Sequence, residues 1–344
     1  MKYQHIVVSQ VGGPQVLHLR EDELPEPKAE EIRIKILAAG VSGADIMMRQ
    51  GKYPPGMPSF PFTPGEDLVG VVEKCGVLVK ERAVGEMVAA LPQVGSYSQY
   101  LCLPEREAVS VPGSLDPAEA VSLVLNYVTA YQMLHRLVHI KAGERILVHG
   151  AAGGVGTALL QLGSLLHLEM YGTASRAKQQ LVSELGATPI DYTSENFVAR
   201  IRHLSGDGVD AVFDAIGGRH LQRSFQTLRP GGRLVGYGFS LANLSRSNLM
   251  LAVLPTLLRV ACWSVLPNGK RAQFYSIAGG PLGWKDRHPE WFREDLTRLF
   301  ELLAEGMLKP VIAGRLSLEE VSHAHELIEQ AQIQGKLVLI PNAS

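Results

Sequence analysis

Cysteine is scarce in this 344-residue chain: Cys75, Cys102 and Cys262 form no CxxC pair and no regular series. That spacing excludes a disulfide framework and points to a reducing compartment, with each thiol serving as a small apolar side chain. A surplus of either charge is also missing, since 33 Lys and Arg face 34 Asp and Glu. The balance leaves no electrostatic footprint for nucleic acid or an anionic membrane, so a charged ligand must be held by a local group. The N-terminal stretch MKYQHIVVSQVGGP lacks the apolar core and cleavage site of a secretory leader, and a cytoplasmic location is the expectation. No transmembrane span is expected either. The most apolar run, residues 249–266, is broken by Pro255 and Arg259 and falls short of the ~20 uninterrupted apolar residues a bilayer requires. It reads as one or two buried or interfacial helices.

The length suits two domains with separate cores. The first hundred residues carry short β-branched runs between Gly and Pro, among them HIVVSQ, EIRIKILAAGV and LVGVVEKCG, the texture of a strand-rich domain. At Ser114 the pattern turns helical, with Asp116 placed as an N-cap and Pro117 at the first helical position. Strand and helix then alternate: RILVHG, EMYGTAS, TPIDY, VDAVFDAIGG and RLVGYGF are separated by amphipathic segments. Such alternation predicts an α/β, doubly wound parallel sheet. The final run KLVLIP has no place in a completed six-stranded sheet of that kind, so it is expected to return to the first domain. The resulting division is 1–125 with 281–344 for the strand-rich domain and 126–280 for the doubly wound one.

One stretch of the second domain is poor in side chains: HGAAGGVG, residues 149–156, follows an apolar strand and precedes a helix. In that context glycines let backbone N–H groups approach a pyrophosphate, which the positive end of the helix dipole also attracts. A dinucleotide is predicted there. An NAD site would place an acidic residue about 20 positions on, to bind the ribose 2′-hydroxyl. Here the segment reads Gly172-Thr173-Ala174-Ser175-Arg176-Ala177-Lys178, without a carboxylate. A hydroxyl and two cations suit a 2′-phosphate, so NADPH is favoured. His323 and His325 stand two apart, on different faces of a helix, and are not a chelating pair.

AAGVSGADIMMRQGKYP at 38–54, FTPGEDLVGVVEKCG at 62–76, NYVTAY at 126–131, VHGAAGGVG at 148–156 and GKLVLIP at 335–341 occur in this order. Together they resemble the medium-chain dehydrogenase/reductase superfamily, in its zinc-free quinone-oxidoreductase branch. The likeness covers nearly all of the chain. It extends to the sub-branch that includes a synaptic-vesicle membrane protein. The resemblance implies a GroES-like catalytic domain, a Rossmann domain and a homodimer. It also implies hydride transfer from NADPH to a small electrophile, a quinone or an α,β-unsaturated carbonyl. The alternatives are an enoyl-thioester reductase and a nucleotide-binding, non-catalytic protein associated with membranes or an assembly. Zinc-dependent relatives carry Cys where Ser42 stands and His-Glu where Glu66-Asp67 stand, so no metal is expected. Zinc-free relatives usually carry Asn at Ser42 and Tyr at Met47, and the chain departs from both. The catalytic candidates are Tyr53, Ser42 and Asp45. For the cofactor the resemblance implies Asn126 and Thr129 near the carboxamide and Ala152, Gly153, Gly154 and Val155 at the pyrophosphate. It places Ser175, Lys178 and Tyr192 at the 2′-phosphate, beside Arg176. Gly236, Tyr237, Gly238 and Phe239 would lie near the nicotinamide, with Lys336 reaching in from the tail.

Overall fold

The computed structural model describes residues 1–53, 58–238, 258–263, 267–277 and 283–341. The chain forms two compact units, Met1–Val128 with His288–Ser344, and Thr129–Arg287.

In the first unit β1 (Lys2–Val8) and β2 (Leu17–Glu23) form an antiparallel hairpin. The centre of the unit is β3 (Glu31–Val41), whose Ile32, Ile34 and Ile36 are buried and Lys35 exposed, while Arg33 and residues 38–41 are buried too, as suits a central strand paired on both sides. Beside it lie β4 (Leu68–Cys75), β5 (Met87–Ala90), β6 (Tyr100–Pro104) and β7 (Val109–Ser110). The tail adds β14 (Ile312–Leu316) and β15 (Lys336–Leu339), giving the order β14-β15-β3-β4-β5-β7, with β6 also paired to β3. Leu337 faces Val41 across the β15–β3 pair and Ala39 faces Leu68 across the β3–β4 pair. This register sets the start of β15, the end of β3 and the start of β4 side by side, and the candidate site is built there. A cluster of buried side chains including Ile6, Ile34, Leu68, Tyr97 and Val321 forms the core.

In the second unit six strands run parallel in the order β10-β9-β8-β11-β12-β13. They are β8 (Arg145–His149), β9 (Glu169–Ala174), β10 (Thr188–Asp191), β11 (Val209–Asp214), β12 (Leu228–Gly236) and β13 (Arg271–Phe274). This is the doubly wound order, in which the chain reverses direction across the sheet beside the first strand. Helices Gly154–Leu165, Gln179–Glu184, Phe197–Ser205 and His220–Gln226 connect the strands.

The helix expected after Ser114 begins at Pro117, and the Asp116 carboxylate accepts hydrogen bonds from Ala118 N and Glu119 N. Further on it contains wide π turns at Leu123–Tyr127 and Gln132–Val138, which periodicity does not reveal. Of the apolar 249–266 run, residues 258–263 are helical, with Val260 buried and Leu258 exposed; the remainder lies outside the described residues. Among those residues no helix is long and apolar enough to cross a membrane.

Candidate active site

Where β3 ends, Ser42 takes an extended conformation and caps the helix Gly43–Arg49 in a reciprocal box with Asp45. Ser42 N donates to Asp45 Oδ2 at 2.8 Å, and Asp45 N donates to Ser42 Oγ at 3.2 Å. The Ser42 hydroxyl is also 2.8 Å from Asp45 Oδ2 and 2.8 Å from Glu66 Oε2. Gly65, just before Glu66, has φ +100° and donates its N–H to Asp45 Oδ1 at 3.0 Å. A Cβ at Gly65 would fall 2.5 Å from Tyr97 Cδ1, so only glycine fits this turn. The turn brings Glu66 to Ser42 and starts β4 in register.

Next to this pair, Lys336 Nζ at the head of β15 donates to Asp67 Oδ2 at 2.9 Å. Ser42, Asp45, Glu66, Asp67 and Lys336 are all buried. Three carboxyls and one ammonium therefore share a dry site, and the excess of acids perturbs them. Burial, opposed by the hydrogen bonds from Ser42, pushes the Asp45 carboxyl up to about 6. Burial and then the charge of Asp45 push Glu66 up to about 8. Tyr53 lies against the same core, and its phenol is raised by burial and by the charges of Glu66 and Asp45. Behind Asp45 stands the buried Tyr97, whose hydroxyl is 3.3 Å from His325 Nε2. Burial and the neighbouring Asp45 carboxyl raise this phenol too.

The structure thus gathers Ser42, Asp45 and Tyr53 in one place. It also contributes three groups that were not read as catalytic from the sequence: Glu66 and Asp67, considered only as replacements for zinc ligands, and Lys336, expected at the cofactor, whose ammonium here pairs with Asp67. The available signal was the adjacent acids after Pro64-Gly65, at the entrance to an apolar strand.

In the second unit, Gly150 (φ +67°) turns the chain after β8, and Gly153 N donates back to Gly150 O at 2.9 Å. Gly156 packs so closely that a Cβ would lie 2.2 Å from Gly150 O. Gly153 caps the following helix without a side-chain hydrogen bond, so the first N–H groups of that helix have no side-chain acceptor at the cap, which suits an anion. Ala152 is buried, while Gly153, Gly154 and Val155 reach the surface. Ser175 opens a short turn after β9, followed by exposed Arg176 and half-buried Lys178, whose ammonium is lowered by burial. Tyr192 is exposed at the end of β10. A carboxylate that the sequence reading passed over is close by: Asp191 faces Ala174 across the β9–β10 pair. It accepts hydrogen bonds from Thr193, which hold it below its ordinary range, with Arg176 adding to the effect. Gly236 is buried, Tyr237 N donates to Asp214 O, and a Cβ at Gly238 would lie 3.0 Å from Ala215 O. Asn126 and Thr129 are buried, and Phe239 lies outside the described residues.

His149, Asp214 and His220 are the one set of three His, Cys, Asp or Glu ligand atoms lying within 4.8 Å of one another among the described residues. The Ser224 hydroxyl stands among them, 2.6 Å from Asp214 Oδ2 and 3.1 Å from His149 Nε2. His149 Nδ1 meets Thr173 Oγ1 at 3.0 Å, and Asp214 Oδ1 accepts from Ile216 N and Gly217 N. Burial pushes His149 down to about 3, which keeps it neutral. These atoms satisfy one another, so the set is a hydrogen-bond network that ties the ends of β8, β9 and β11 to the next helix.

Two family models match the chain: the alcohol dehydrogenase GroES-like domain over residues 28–113 and the zinc-binding dehydrogenase over residues 185–339. A synaptic vesicle membrane protein VAT-1 homolog of Danio rerio is 32% identical over 98% of this chain and 70% of its own length. Human quinone oxidoreductase is 31% identical over 97% of this chain and 96% of its own length. The crystal structure of Escherichia coli quinone oxidoreductase complexed with NADPH superposes with a TM-score of 0.85 at 29% identity, covering 98% of this chain and 100% of that one.

Proposed function

Because the chain belongs to the medium-chain dehydrogenase/reductase superfamily, as a quinone-oxidoreductase-like member, we propose that it reduces a quinone or an α,β-unsaturated carbonyl with NADPH and without zinc. NADPH supplies the hydride. The uncapped helix behind Gly150 is suited to hold its pyrophosphate through Gly153, Gly154 and Val155, and Ser175, Arg176 and Lys178 offer a hydroxyl and two cations to its 2′-phosphate.

The observation that carries the proposal is the oxygen-rich donor set of buried Ser42, Asp45 and Glu66 with half-buried Tyr53 beside them. It does not suit zinc, which favours Cys and His with carboxylates in tetrahedral array. Asp67 is committed to Lys336, Ser42 bridges the other two acids, and neither Cys nor His belongs to the set. Such a set instead offers O–H groups to an oxygen that gains electron density. Tyr53 donates to the substrate oxygen, and Ser42, its hydroxyl held by Asp45, orders the set. A homodimer in the cytoplasm completes this reading, on the family resemblance alone.

The test is NADPH oxidation by the metal-stripped protein against quinones, enones and enoyl thioesters, with NADPH affinity measured in parallel. Turnover on quinones or enones is expected. Turnover confined to enoyl thioesters would assign that chemistry instead, and tight NADPH binding without turnover on any acceptor would leave a nucleotide-binding protein without this activity.

A further inference from the structure

The hydrogens around Ser42 can be counted. Its hydroxyl is 2.8 Å from Asp45 Oδ2 and 2.8 Å from Glu66 Oε2. A serine hydroxyl has one hydrogen and an ionised carboxylate has none. With both carboxylates ionised, one of these contacts would set two oxygens together in a buried site with no proton between them, an unfavourable arrangement. A second proton must therefore reside on one of the two acids.

The distribution of donors decides which. Asp45 receives Ser42 N on Oδ2 and Gly65 N on Oδ1, and the Tyr97 phenol stands beside it. These groups stabilise the ionised form of Asp45. Glu66 makes one hydrogen bond among the described residues, to Ser42. The arrangement that uses every hydrogen has Glu66 O–H donating to Ser42 Oγ and Ser42 O–H donating to Asp45 Oδ2. The charged and titratable groups facing Glu66 among the described residues agree with it: Asp45, Asp67, Tyr53 and Tyr97 gain nothing from a further negative charge, and the cation Lys336 is paired with Asp67.

We propose that Glu66 is the general acid of this site, a carboxylic acid kept protonated by the Ser42–Asp45 relay, which protonates the anion left by hydride addition. This rests on the reductase reading above. In the step, the Glu66 O–H bond breaks and its electron pair stays on the carboxylate. The new bond is C–H at the α-carbon of an enone or O–H on a quinone oxygen, and solvent restores the proton. The two electrons that reduce the substrate arrive with the nicotinamide hydride. Tyr53 is the weaker acid because burial and two nearby carboxyls hold its proton, so it serves as a hydrogen-bond donor. A carboxyl that titrates near the working pH both gives and recovers its proton efficiently.

The primary test needs neither cofactor nor turnover. Infrared spectra of the full chain, with the carboxyl carbons of glutamate isotopically labelled, are recorded from about pH 5 to about pH 10. The expected result is the carbonyl stretch of a protonated carboxyl at neutral pH, fading near pH 8 and missing in Glu66→Gln. With an enone and NADPH, Glu66→Gln should lose about 100-fold or more in kcat at unchanged NADPH affinity, together with the alkaline limb of the wild-type profile. Glu66→Asp, which retains an acid, should recover part of the rate. A spectrum at neutral pH with no Glu66-dependent band overturns the proton assignment. A Glu66→Gln enzyme with wild-type rate and pH profile overturns the catalytic one. Wild-type protein inactive on every acceptor overturns the reductase reading, and the infrared band shows separately whether Glu66 holds its proton.

Discussion

Lys336 Nζ lies 2.9 Å from Asp67 Oδ2, and the two residues are 269 positions apart in the chain and buried together. Gly40 makes the room: a Cβ there would fall 2.3 Å from Lys336 Cε and 2.4 Å from Asp67 Oδ1. Removing one partner of a buried pair strands the other charge, at a cost of about 3–5 kcal/mol. Asp67 Oδ1 has no hydrogen-bond partner among the described residues, so Lys336→Met is expected to reach that range in urea unfolding. The double variant Lys336→Met with Asp67→Leu should recover most of the loss. A single variant as stable as wild type would show that Asp67 is not charged in the folded protein.

Ser42 has two tasks, and they separate by measurement. As an N-cap it stabilises its helix by about 1 kcal/mol; as the bridge between Asp45 and Glu66 it sets the protonation of the site. Ser42→Ala is expected to lower Tm by a few degrees and kcat by about tenfold or more, with NADPH affinity unchanged. If Tm falls while kcat stays at the wild-type value, the residue is a cap alone.

Tyr53→Phe removes one O–H and leaves the ring packed against the core. A hydrogen bond to a developing oxyanion is worth a factor of about 100 in rate, so kcat should fall by that order while NADPH titrations are unaltered. Equal turnover in the two proteins would remove Tyr53 from substrate polarisation and leave Glu66 as the acid of the site.

The parts of this protein legible in its sequence are those governed by neighbours along the chain. The glycine turn, the Asp116 cap ahead of Pro117 and the βα alternation all follow from local conformational preference. The acid cluster does not. Its members come from residues 42–45, 66–67 and 336, and their meeting depends on a strand register that places Leu337 opposite Val41 and Leu68 opposite Ala39. Tyr97 and His325, 228 positions apart, likewise meet only through tertiary packing. Composition registers neither the dryness of such a place nor the proton count it imposes. Asp191 is likewise invisible at the end of β9, because it enters from the adjoining strand.

That neighbour sharpens the cofactor test. Arg176→Glu combined with Lys178→Glu places two carboxylates near Asp191, where a 2′-phosphate would be repelled and a 2′-hydroxyl tolerated. The Kd for NADPH should rise by about 100-fold and that for NADH by much less. Equal weakening of both would assign these cations to the pyrophosphate or to the fold.

The buried titratable groups also set the pH range of stability, from both sides. His149 and His325 are pushed down to about 3 by burial, from an ordinary 6.5. Between these values the unfolded chain binds protons that the folded chain refuses, so stability present above pH 6.5 is lost as the pH falls toward 3. Glu66 and Asp45 have the opposite sign. Their folded values of about 8 and about 6 exceed 4.5 and 3.8, so the folded state holds protons that the unfolded state releases. Their contribution is fully present below those ordinary values and is lost as the pH rises through about 6 and then about 8. Between pH 4.5 and 6.5 the two effects oppose each other and the profile should be flattest. Glu66→Gln, which cannot ionise, should then raise Tm relative to wild type above pH 8 while leaving it unchanged near pH 4.5. His325→Phe removes a group whose Nδ1 is buried without a partner among the described residues and should reduce the acid loss below pH 6. A Glu66→Gln protein whose Tm follows wild type across the whole range would mean that Glu66 is ionised in the folded state.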